Sequence, residues 1–271
     1  MNGRIVRILE IFESCKHIKV TLLAELLDVS QVTLRRDLDK LEKRGIICRS
    51  HGYASLDGAD ITSKRMAFCY SIKQRIARAA ALTVEEGETV MLDSGSCCAL
   101  FAEELALTKK NITIITNSAY IAYYVSKLPN LKIILLGGYF QPESQMLIGP
   151  MTIKSAENFY TDKFFLSADG FIPGLAFTGR DHLCVETALG LANYTKEIFV
   201  LTEAAKFRRR GAYILIKLDK LAGVFTDDNI PKEAEKALVE NNVFVHKVPA
   251  VEEKLRWCQF SGMPPILYTE K

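Results

Sequence analysis

The sequence predicts an α/β protein in two parts: an N-terminal winged helix-turn-helix, then a larger domain built on a mainly parallel sheet. The first 56 residues contain short amphipathic helices and no long strand, whereas apolar strand-like runs alternate with helical stretches from about residue 70 to 248. Such alternation is typical of a parallel sheet covered on both faces. The expected division is a first domain at 1–56, a linker at 57–70, an α/β domain at 71–250 and a C-terminal tail at 251–271.

Length and composition exclude several classes of protein. A chain of 271 residues with 49% apolar and 25% charged residues is ordinary globular material, long enough for two unequal domains. Its 35 Lys and Arg against 32 Asp and Glu leave a net charge of only +3, so any basic surface must be local. No apolar run approaches the length of a membrane span, and the N-terminus lacks the apolar core of a signal peptide. We therefore expect a cytoplasmic protein that does not associate with membranes.

The cysteines do not indicate a disulfide framework or a metal site. They are seven in number and scattered, with no CxxC spacing, so no zinc site is suggested. No cofactor and no other bound metal are expected either. The simplest interpretation of each is a small buried apolar residue. They are Cys15, Cys48, Cys69, Cys97, Cys98, Cys184 and Cys258.

The first domain has the spacing of a helix-turn-helix. One helical face recurs at i, i+3, i+4 and i+7 from Ile5 to Phe12. Thr21 is a candidate cap for a second short helix at 22–27, and a tight turn at 28–30 follows. A third helix is predicted at 31–44. Its apolar positions are Val32, Leu34, Leu38 and Leu41.

A glycine and two short strands follow the third helix. Gly45 is placed to end that helix, and strands at 46–49 and 53–54 would form a small β-wing. The third helix is then the one that enters the DNA major groove. Between residues 31 and 51 there are six basic residues against three acidic ones, which supports DNA binding only locally. The alternative is that these charges merely solvate a surface helix.

The larger domain opens with a predicted anion-binding turn. A buried strand at 90–93 leads through the small residues 94–96 into a helix at 98–105, so free backbone N–H groups and the helix dipole face one point. Further strands are predicted at 112–116, 132–136, 164–168, 198–201, 223–225 and 243–245.

Polar and small residues come just past several of these strands. The ends of parallel strands meet at one edge of a sheet, where ligands bind, so we expect a shared pocket, although each residue could be a simple loop residue. Backbone N–H groups and Lys206 suit a phosphate, and Asp93 and Asp169 suit sugar hydroxyls, so a small anionic polyol is favoured. The strand-end residues are Asp93, Ser96, Asn117, Gly137, Gly138, Asp169 and Lys206.

Residues 26–52 carry the most specific motif. Val29-Ser30, then Thr33-Leu34-Arg35-Arg36-Asp37-Leu38, Leu41-Glu42-Lys43-Arg44-Gly45 and Arg49-Ser50-His51-Gly52 resemble the DeoR family of bacterial transcriptional regulators. Tyr53 stands where a second glycine is usual. The resemblance implies a helix-turn-helix at about 18–37. The implied DNA contacts are Ser30, Gln31, Thr33, Arg35, Arg36, Arg49 and His51.

Residues 73–228 resemble the sensor domain of the same family. That domain is similar in fold to ribose-5-phosphate isomerase, and the resemblance implies that it senses a phosphorylated sugar. The matching motifs include Asp93-Ser94-Gly95-Ser96, Thr116-Asn117-Ser118 and Ala168-Asp169-Gly170. The expected effector-binding residues are Asp93, Ser94, Gly95, Ser96, Cys97, Thr116, Asn117, Gly137, Gly138, Asp169, Gly170 and Lys206.

Three departures from the family pattern bear on the identity of the effector. Cys97 replaces a threonine at a helix N-terminus, a position that can lower a thiol pKa and create a redox-sensitive site. A lysine that the family often has in the segment 185–189 is missing, and the segment 202–207 differs from the usual motif before its Lys206-Phe207.

The expected function is a DNA-binding regulator, a repressor of a carbohydrate-metabolism operon whose affinity for double-stranded operator DNA is set by a phosphorylated sugar. One winged helix buries little DNA surface, so a homo-oligomer, a dimer or a tetramer, is expected. The rivals are a sugar-phosphate isomerase-like enzyme and a phosphosugar-binding protein that does not bind DNA. Against an enzyme, the lysine- and glycine-rich catalytic loop of the isomerase does not follow Asp169-Gly170.

Overall fold

The computed structural model describes residues 3–15, 17–56 and 61–250. The predicted tail at 251–271 and the first residues of the predicted linker, 57–60, lie outside this range. The helices are α1 Gly3–Ser14, α2 Val20–Leu26, α3 Gln31–Lys43, α4 Ile61–Ala67, α5 Tyr70–Ala81, α6 Ser96–Thr108, α7 Ala119–Val125, α8 Pro150–Ala156, α9 His182–Leu191 and α10 Lys232–Glu240. The strands are β1 His17–Lys19, β2 Cys48–Ser50, β3 Tyr53–Ser55, β4 Thr89–Leu92, β5 Ile112–Thr116, β6 Leu131–Leu135, β7 Tyr139–Gln141, β8 Met146–Ile148, β9 Thr161–Leu166, β10 Gly170–Ile172, β11 Ala176–Gly179, β12 Thr195–Leu201, β13 Tyr213–Lys217, β14 Gly223–Asp227 and β15 Phe244–Val248.

The N-terminal part is a winged helix-turn-helix. Helices α1, α2 and α3 pack around one core, and β2 and β3 form the predicted wing. A strand that the sequence did not reveal, β1, pairs with β3 and makes a three-stranded sheet of order β1-β3-β2. Tyr53, the departure from the family pattern, stacks on His17 of β1 with ring centroids 4.4 Å apart.

Local signals define α3 at both ends. The Ser30 hydroxyl accepts a hydrogen bond from the Thr33 backbone N–H at 3.2 Å, as an N-cap does. Gly45 has a φ of 71°, the left-handed conformation that ends a helix and that glycine adopts without strain. The prediction of a capping role for Thr21 is wrong, because α2 already begins at Val20 after Lys19.

The burial of side chains along α3 contradicts the prediction for one apolar residue. Leu34, Leu38 and Leu41 are fully buried, as predicted. Val32, which the sequence grouped with them, is 59% exposed. It lies next to Gln31 at the start of the helix, where the chain has just left the turn and the core does not reach.

The larger part is built on a seven-stranded sheet of order β15-β14-β12-β9-β4-β5-β6 in which every pairing is parallel. The mainly parallel sheet predicted from the apolar runs is confirmed. Helices cover both faces and give two apolar clusters, one of which continues into the core of α1, α2 and α3.

Antiparallel additions that the sequence did not predict lie at the carboxyl edge of this sheet. One is the sheet β10-β11-β13, and the other is the hairpin β7-β8. The hairpin covers the ends of β5 and β6: the Leu147 N–H donates to the Asn117 carbonyl at 2.7 Å, and Ser118 forms a bridge with Met146.

The two parts of the chain touch directly. Helix α4 lies within the segment predicted as linker, and its Met66 is fully buried. Arg44, at the end of α3, pairs with the buried Glu103 of α6 at 2.9 Å, and the Tyr124 hydroxyl donates to the same carboxylate at 2.7 Å. The end of the third helix is therefore held by α6.

No helix within the described ranges combines the length and apolar character needed to cross a bilayer.

Candidate functional site

A cavity of about 530 Å³ opens at the carboxyl ends of β4, β9 and β12, as expected for an open α/β sheet. We call it the strand-end cavity. It brings together seven of the predicted effector-binding residues: Asp93, Ser94, Gly95, Ser96, Cys97, Asp169 and Lys206. Its wall is completed by Thr62, Arg65, Gln141, Glu143, Ser144, Met146, Ser167, Ala168, Gly179, Arg180, Asp181, Cys184, Val185, Leu201, Glu203 and Leu215.

The floor of the strand-end cavity is the turn between β4 and α6. Gly95 precedes α6 with a φ of 135°, which is accessible to glycine but strained for other residues. A Cβ at this position would lie 2.3 Å from the Ser167 Oγ, so only glycine lets the turn pack against the end of β9. The unpaired N–H groups of the first turn of α6 are thereby directed at the cavity.

Asp93 is the buried polar group of this floor. The residue is 7% exposed, and its Oδ1 has no hydrogen-bond partner among the described residues. Burial raises the pKa of Asp93 to about 7, and the charge of Asp169 adds to the shift. A carboxyl group that is protonated near neutral pH can both donate and accept, which suits a sugar hydroxyl.

The raised pKa gives a pH-dependent stability that Asp93→Asn should remove. The folded state holds the proton more tightly than the unfolded chain, so this stabilising contribution is complete below pH 4 and is lost as the pH rises towards 7. We expect the unfolding free energy of the wild type, relative to Asp93→Asn, to fall by up to about 4 kcal/mol between pH 4 and pH 8. Denaturant titrations of both proteins across this range measure it, and a pH-independent difference would contradict the assignment.

Charged groups form a network on one side of the cavity. Lys206 Nζ lies 3.7 Å from Asp169 Oδ1, and the buried Lys73 lies 3.9 Å from Glu203 Oε1. Burial by itself would raise the pKa of Glu203, but Lys73 and Lys206 outweigh it and hold that pKa below its ordinary value. Glu203 is therefore a fixed negative charge in the wall.

Cys97 does not have the properties of a redox-sensitive thiol. It sits at the start of α6 as predicted, but it is 2% exposed and donates to Glu203 at 3.7 Å. Burial, followed by the Glu203 charge, raises the pKa of Cys97 well above its usual value, against the lowering effect of Lys73 and Lys206. The thiol stays protonated, so the structure gives no support to the redox-sensitive site that this helix position allows.

Five of the predicted effector-binding residues do not line the strand-end cavity: Thr116, Asn117, Gly137, Gly138 and Gly170. The hairpin β7-β8 occupies the end of β5. There the Asn117 side-chain amide donates to the Leu147 carbonyl of β8, and the Thr116 hydroxyl accepts from the Ser118 backbone N–H. Gly138 packs against Thr152, and Gly170 packs against the backbone at Arg209. These residues shape the surroundings of the cavity.

The sequence missed several lining residues, for different reasons. Glu203 follows β12 and could have been found by the same strand-end rule that selected Lys206. Gln141 and Ser144 belong to the unpredicted hairpin loop, and Arg65 lies in the segment that looked like a linker, so no local signal pointed to them.

A second concavity, the wing groove, lies between the start of α3 and the wing. It has a volume of about 400 Å³ and includes four of the predicted DNA contacts: Gln31, Arg35, Arg49 and His51. Arg36 is exposed on α3 beside Arg35, whereas Ser30 and Thr33 are engaged with each other, their hydroxyl oxygens 2.9 Å apart. His51 and Gly52 form the turn of the wing with positive φ angles.

Arg49 is partly committed to the protein itself. Its guanidinium contacts Asp39 and Glu42 of α3, each at 2.5 Å, and these hydrogen bonds, that to Glu42 first, hold its pKa above the ordinary value. Arg49 thus fastens the wing to α3 and has less free charge for a DNA phosphate than Arg35 or Arg36.

The chain is similar in sequence to known transcriptional regulators. The chain is 29% identical to the L-fucose operon activator of Escherichia coli over 76% of this chain and 86% of that protein. It is 26% identical to the glycerol-3-phosphate regulon repressor of the same organism, over 87% and 94%. Among solved structures, ribose 5-phosphate isomerase A of Methanocaldococcus jannaschii gives a TM-score of 0.37 at 18% identity, over 51% of this chain and 54% of that one.

Two family models match the chain. Residues 4–59 match the DeoR-like helix-turn-helix domain, and residues 69–228 match the DeoR C terminal sensor domain. The first covers α1 to the wing, and the second covers the strand-end cavity except for the contribution of α4. The chain belongs to the DeoR family of transcriptional regulators.

Proposed function

We propose that this protein represses a carbohydrate-metabolism operon and that a small phosphorylated sugar in the strand-end cavity sets its affinity for operator DNA. The observation that supports the effector most strongly is the cavity floor, where α6 N–H groups and the unpartnered Oδ1 of Asp93 face the same space. The N–H groups suit a phosphate and Asp93 suits a hydroxyl. The names of the two relatives, which refer to a sugar operon and to glycerol-3-phosphate, agree with this chemistry.

The DNA-binding surface in this proposal is the exposed start of α3 together with the wing. Gln31, Arg35 and Arg36 would reach base edges and phosphates, with His51 at the wing turn. The exposed Val32 adds an apolar group that suits a thymine methyl. The main role of Ser30 and Thr33 is to cap α3, and the main role of Arg49 is to hold the wing against α3.

Oligomerisation and location complete the proposal. A single α3 buries too little DNA surface for useful specificity, so we infer at least a dimer that binds repeated half-sites. A regulator of this kind acts in the cytoplasm, where its operator is. The proposed boundaries remain 1–56 for DNA binding and 71–250 for sensing, with the segment between them contributing α4.

An equilibrium DNA-binding titration tests the proposal. Fluorescence anisotropy would use the DNA upstream of the protein's own gene, with a shuffled duplex of equal length and composition as the control. We expect tight, salt-dependent binding to the first duplex, at least about a thousandfold tighter than to the control. A phosphorylated sugar should change that affinity by about 5- to 150-fold.

The alternative outcomes are distinguishable. A protein without salt-dependent DNA binding would be a phosphosugar-binding protein only. Asp93, buried with a pKa raised to about 7, is also the kind of group that acts as a catalytic base. Turnover of ribose 5-phosphate by the purified chain would therefore favour the isomerase-like alternative, whereas we expect none.

A further inference from the structure

Helix α4 supplies one wall of the strand-end cavity. Thr62, which is 5% exposed, and the exposed Arg65 both line it. Both come before the sheet in the chain, because α5 lies between α4 and the first strand of the sheet, β4. A ligand in the cavity therefore faces the sensor sheet on one side and the segment that joins the two parts of the chain on the other.

The charges of the cavity wall leave few cations for an anionic ligand. The acidic residues of the wall are Asp93, Glu143, Asp169, Asp181 and Glu203, and the basic ones are Arg65, Arg180 and Lys206. Lys206 is already paired with Asp169. Within the described residues, neither Arg65 nor Arg180 has an ion pair, so these two guanidinium groups are the cations that an incoming anion would meet.

The position of α4 depends on the same cavity. The ammonium group of Lys73, only 3% exposed, donates a hydrogen bond to the backbone carbonyl of Arg65 and lies 3.9 Å from Glu203. Lys73 thus ties α4 to a carboxylate of the wall. An anion that binds beside Glu203 alters the electrostatic field at the Lys73 ammonium group, which contacts both Glu203 and the Arg65 carbonyl.

Helix α4 also packs against the DNA-binding part. It contacts α1 and α6, and Met66 is buried in the apolar cluster shared by both parts. Arg4 of α1 in turn pairs with Asp37 of α3, whose side chain is 2% exposed. A continuous series of packed groups therefore joins Arg65 to the helix that would enter the major groove.

We propose that Arg65 is an anion-binding residue of the effector site and that α4 transmits the occupancy of the cavity to α1 and α3. This inference rests on the proposed effector function. A guanidinium presents two parallel N–H donors that match a phosphate or carboxylate, so Arg65 binds the anionic end of the ligand. Ligand binding then draws α4 towards the cavity. The protein therefore has one arrangement of α4 with ligand and another without it, and the two must differ in effector affinity for the sites to be coupled.

The test compares Arg65→Ala and Arg65→Lys with the wild type. Arg78→Ala is the matched control, because Arg78 is an exposed arginine of the next helix, paired with Glu104 outside the cavity. The probes are inorganic phosphate, glycerol 3-phosphate and ribose 5-phosphate, titrated by calorimetry into the full-length protein. Operator affinity is measured by anisotropy with and without each compound.

We expect Arg65→Ala to weaken the binding of any compound bound by the wild type at least tenfold, while operator affinity without compound stays within twofold. Arg65→Lys should retain part of the affinity, about threefold below wild type, and Arg78→Ala should match the wild type. At saturating compound, the change in operator affinity should be at least fivefold smaller in Arg65→Ala.

Two results would overturn the inference. If Arg65→Ala binds the compounds and responds to them as the wild type does, or if Arg78→Ala loses as much, Arg65 has no specific role. If the wild type binds none of the three while it still binds operator, the phosphorylated effector itself is refuted, and the role of Arg65 with it.

Discussion

Arg35→Ala and Arg36→Ala are each expected to abolish operator binding while leaving effector binding intact. Both side chains are exposed on α3, and neither forms an ion pair within the described residues, unlike Arg49. Loss of one bidentate base contact costs about 1–3 kcal/mol, and a dimer loses two. Each single substitution, acting in both subunits, is therefore expected to lower operator affinity on the order of a hundredfold or more.

The salt dependence of binding separates the two roles that these arginines can play. A residue that binds a phosphate lowers the slope of log affinity against log salt concentration by about one unit when removed, whereas a base-reading residue changes sequence preference instead. Anisotropy titrations over several salt concentrations measure both quantities. Arg78→Ala should bind operator like the wild type, and wild-type affinity in both Arg35→Ala and Arg36→Ala would refute the role of α3.

Gly95→Ala is expected to weaken effector binding about a hundredfold and to lower the stability of the larger part. The new Cβ would lie 2.3 Å from Ser167 Oγ and 2.5 Å from its Cβ, at a φ of 135°. The turn must then move away from β9, and the N–H groups of α6 no longer converge on the ligand. Strain of this kind costs about 1–3 kcal/mol in stability.

Two further variants isolate the cause. Gly87→Ala places alanine at a φ of 82° with nothing within 4 Å, so it reports backbone strain without a collision and outside the cavity. Ser167→Gly in the Gly95→Ala background removes the colliding atoms and should restore part of the effector affinity. Calorimetry and thermal unfolding measure both effects. Effector binding by Gly95→Ala equal to that of Gly87→Ala would contradict the proposed cradle.

Agreement between sequence and structure was best where the signal is local. With Ser30 as its cap and Gly45 after its end, α3 begins and ends within one residue of the prediction, and β5 has its predicted limits. These limits are predictable because capping, φ preference and an apolar run all depend on residues only a few positions apart. The turn from Asp93 to Ser96 was found for the same reason, since a strand, small residues and a helix follow one another directly.

The strand-end rule was less reliable for choosing which residues share the cavity. It selected Asn117 and Gly137 along with Asp93 and Lys206, because all of them follow apolar strands. The structure separates them, since the hairpin β7-β8 covers the ends of β5 and β6 and leaves those of β4, β9 and β12 open. Periodicity likewise places Val32 in the core, although it is exposed, because the spacing of apolar residues cannot show where the core ends.

The sequence alone determined the architecture of this protein: a winged helix-turn-helix followed by a mainly parallel sheet with a small-residue turn between β4 and α6. These features depend on hydrophobic period, caps and turn residues, which are properties of neighbouring residues. Only the tertiary structure decided that Arg49 clamps the wing, that Glu103 holds the end of α3, and that α4 places Arg65 in the strand-end cavity. Those contacts join residues that are distant in the chain, and no local pattern encodes which distant partner will be there.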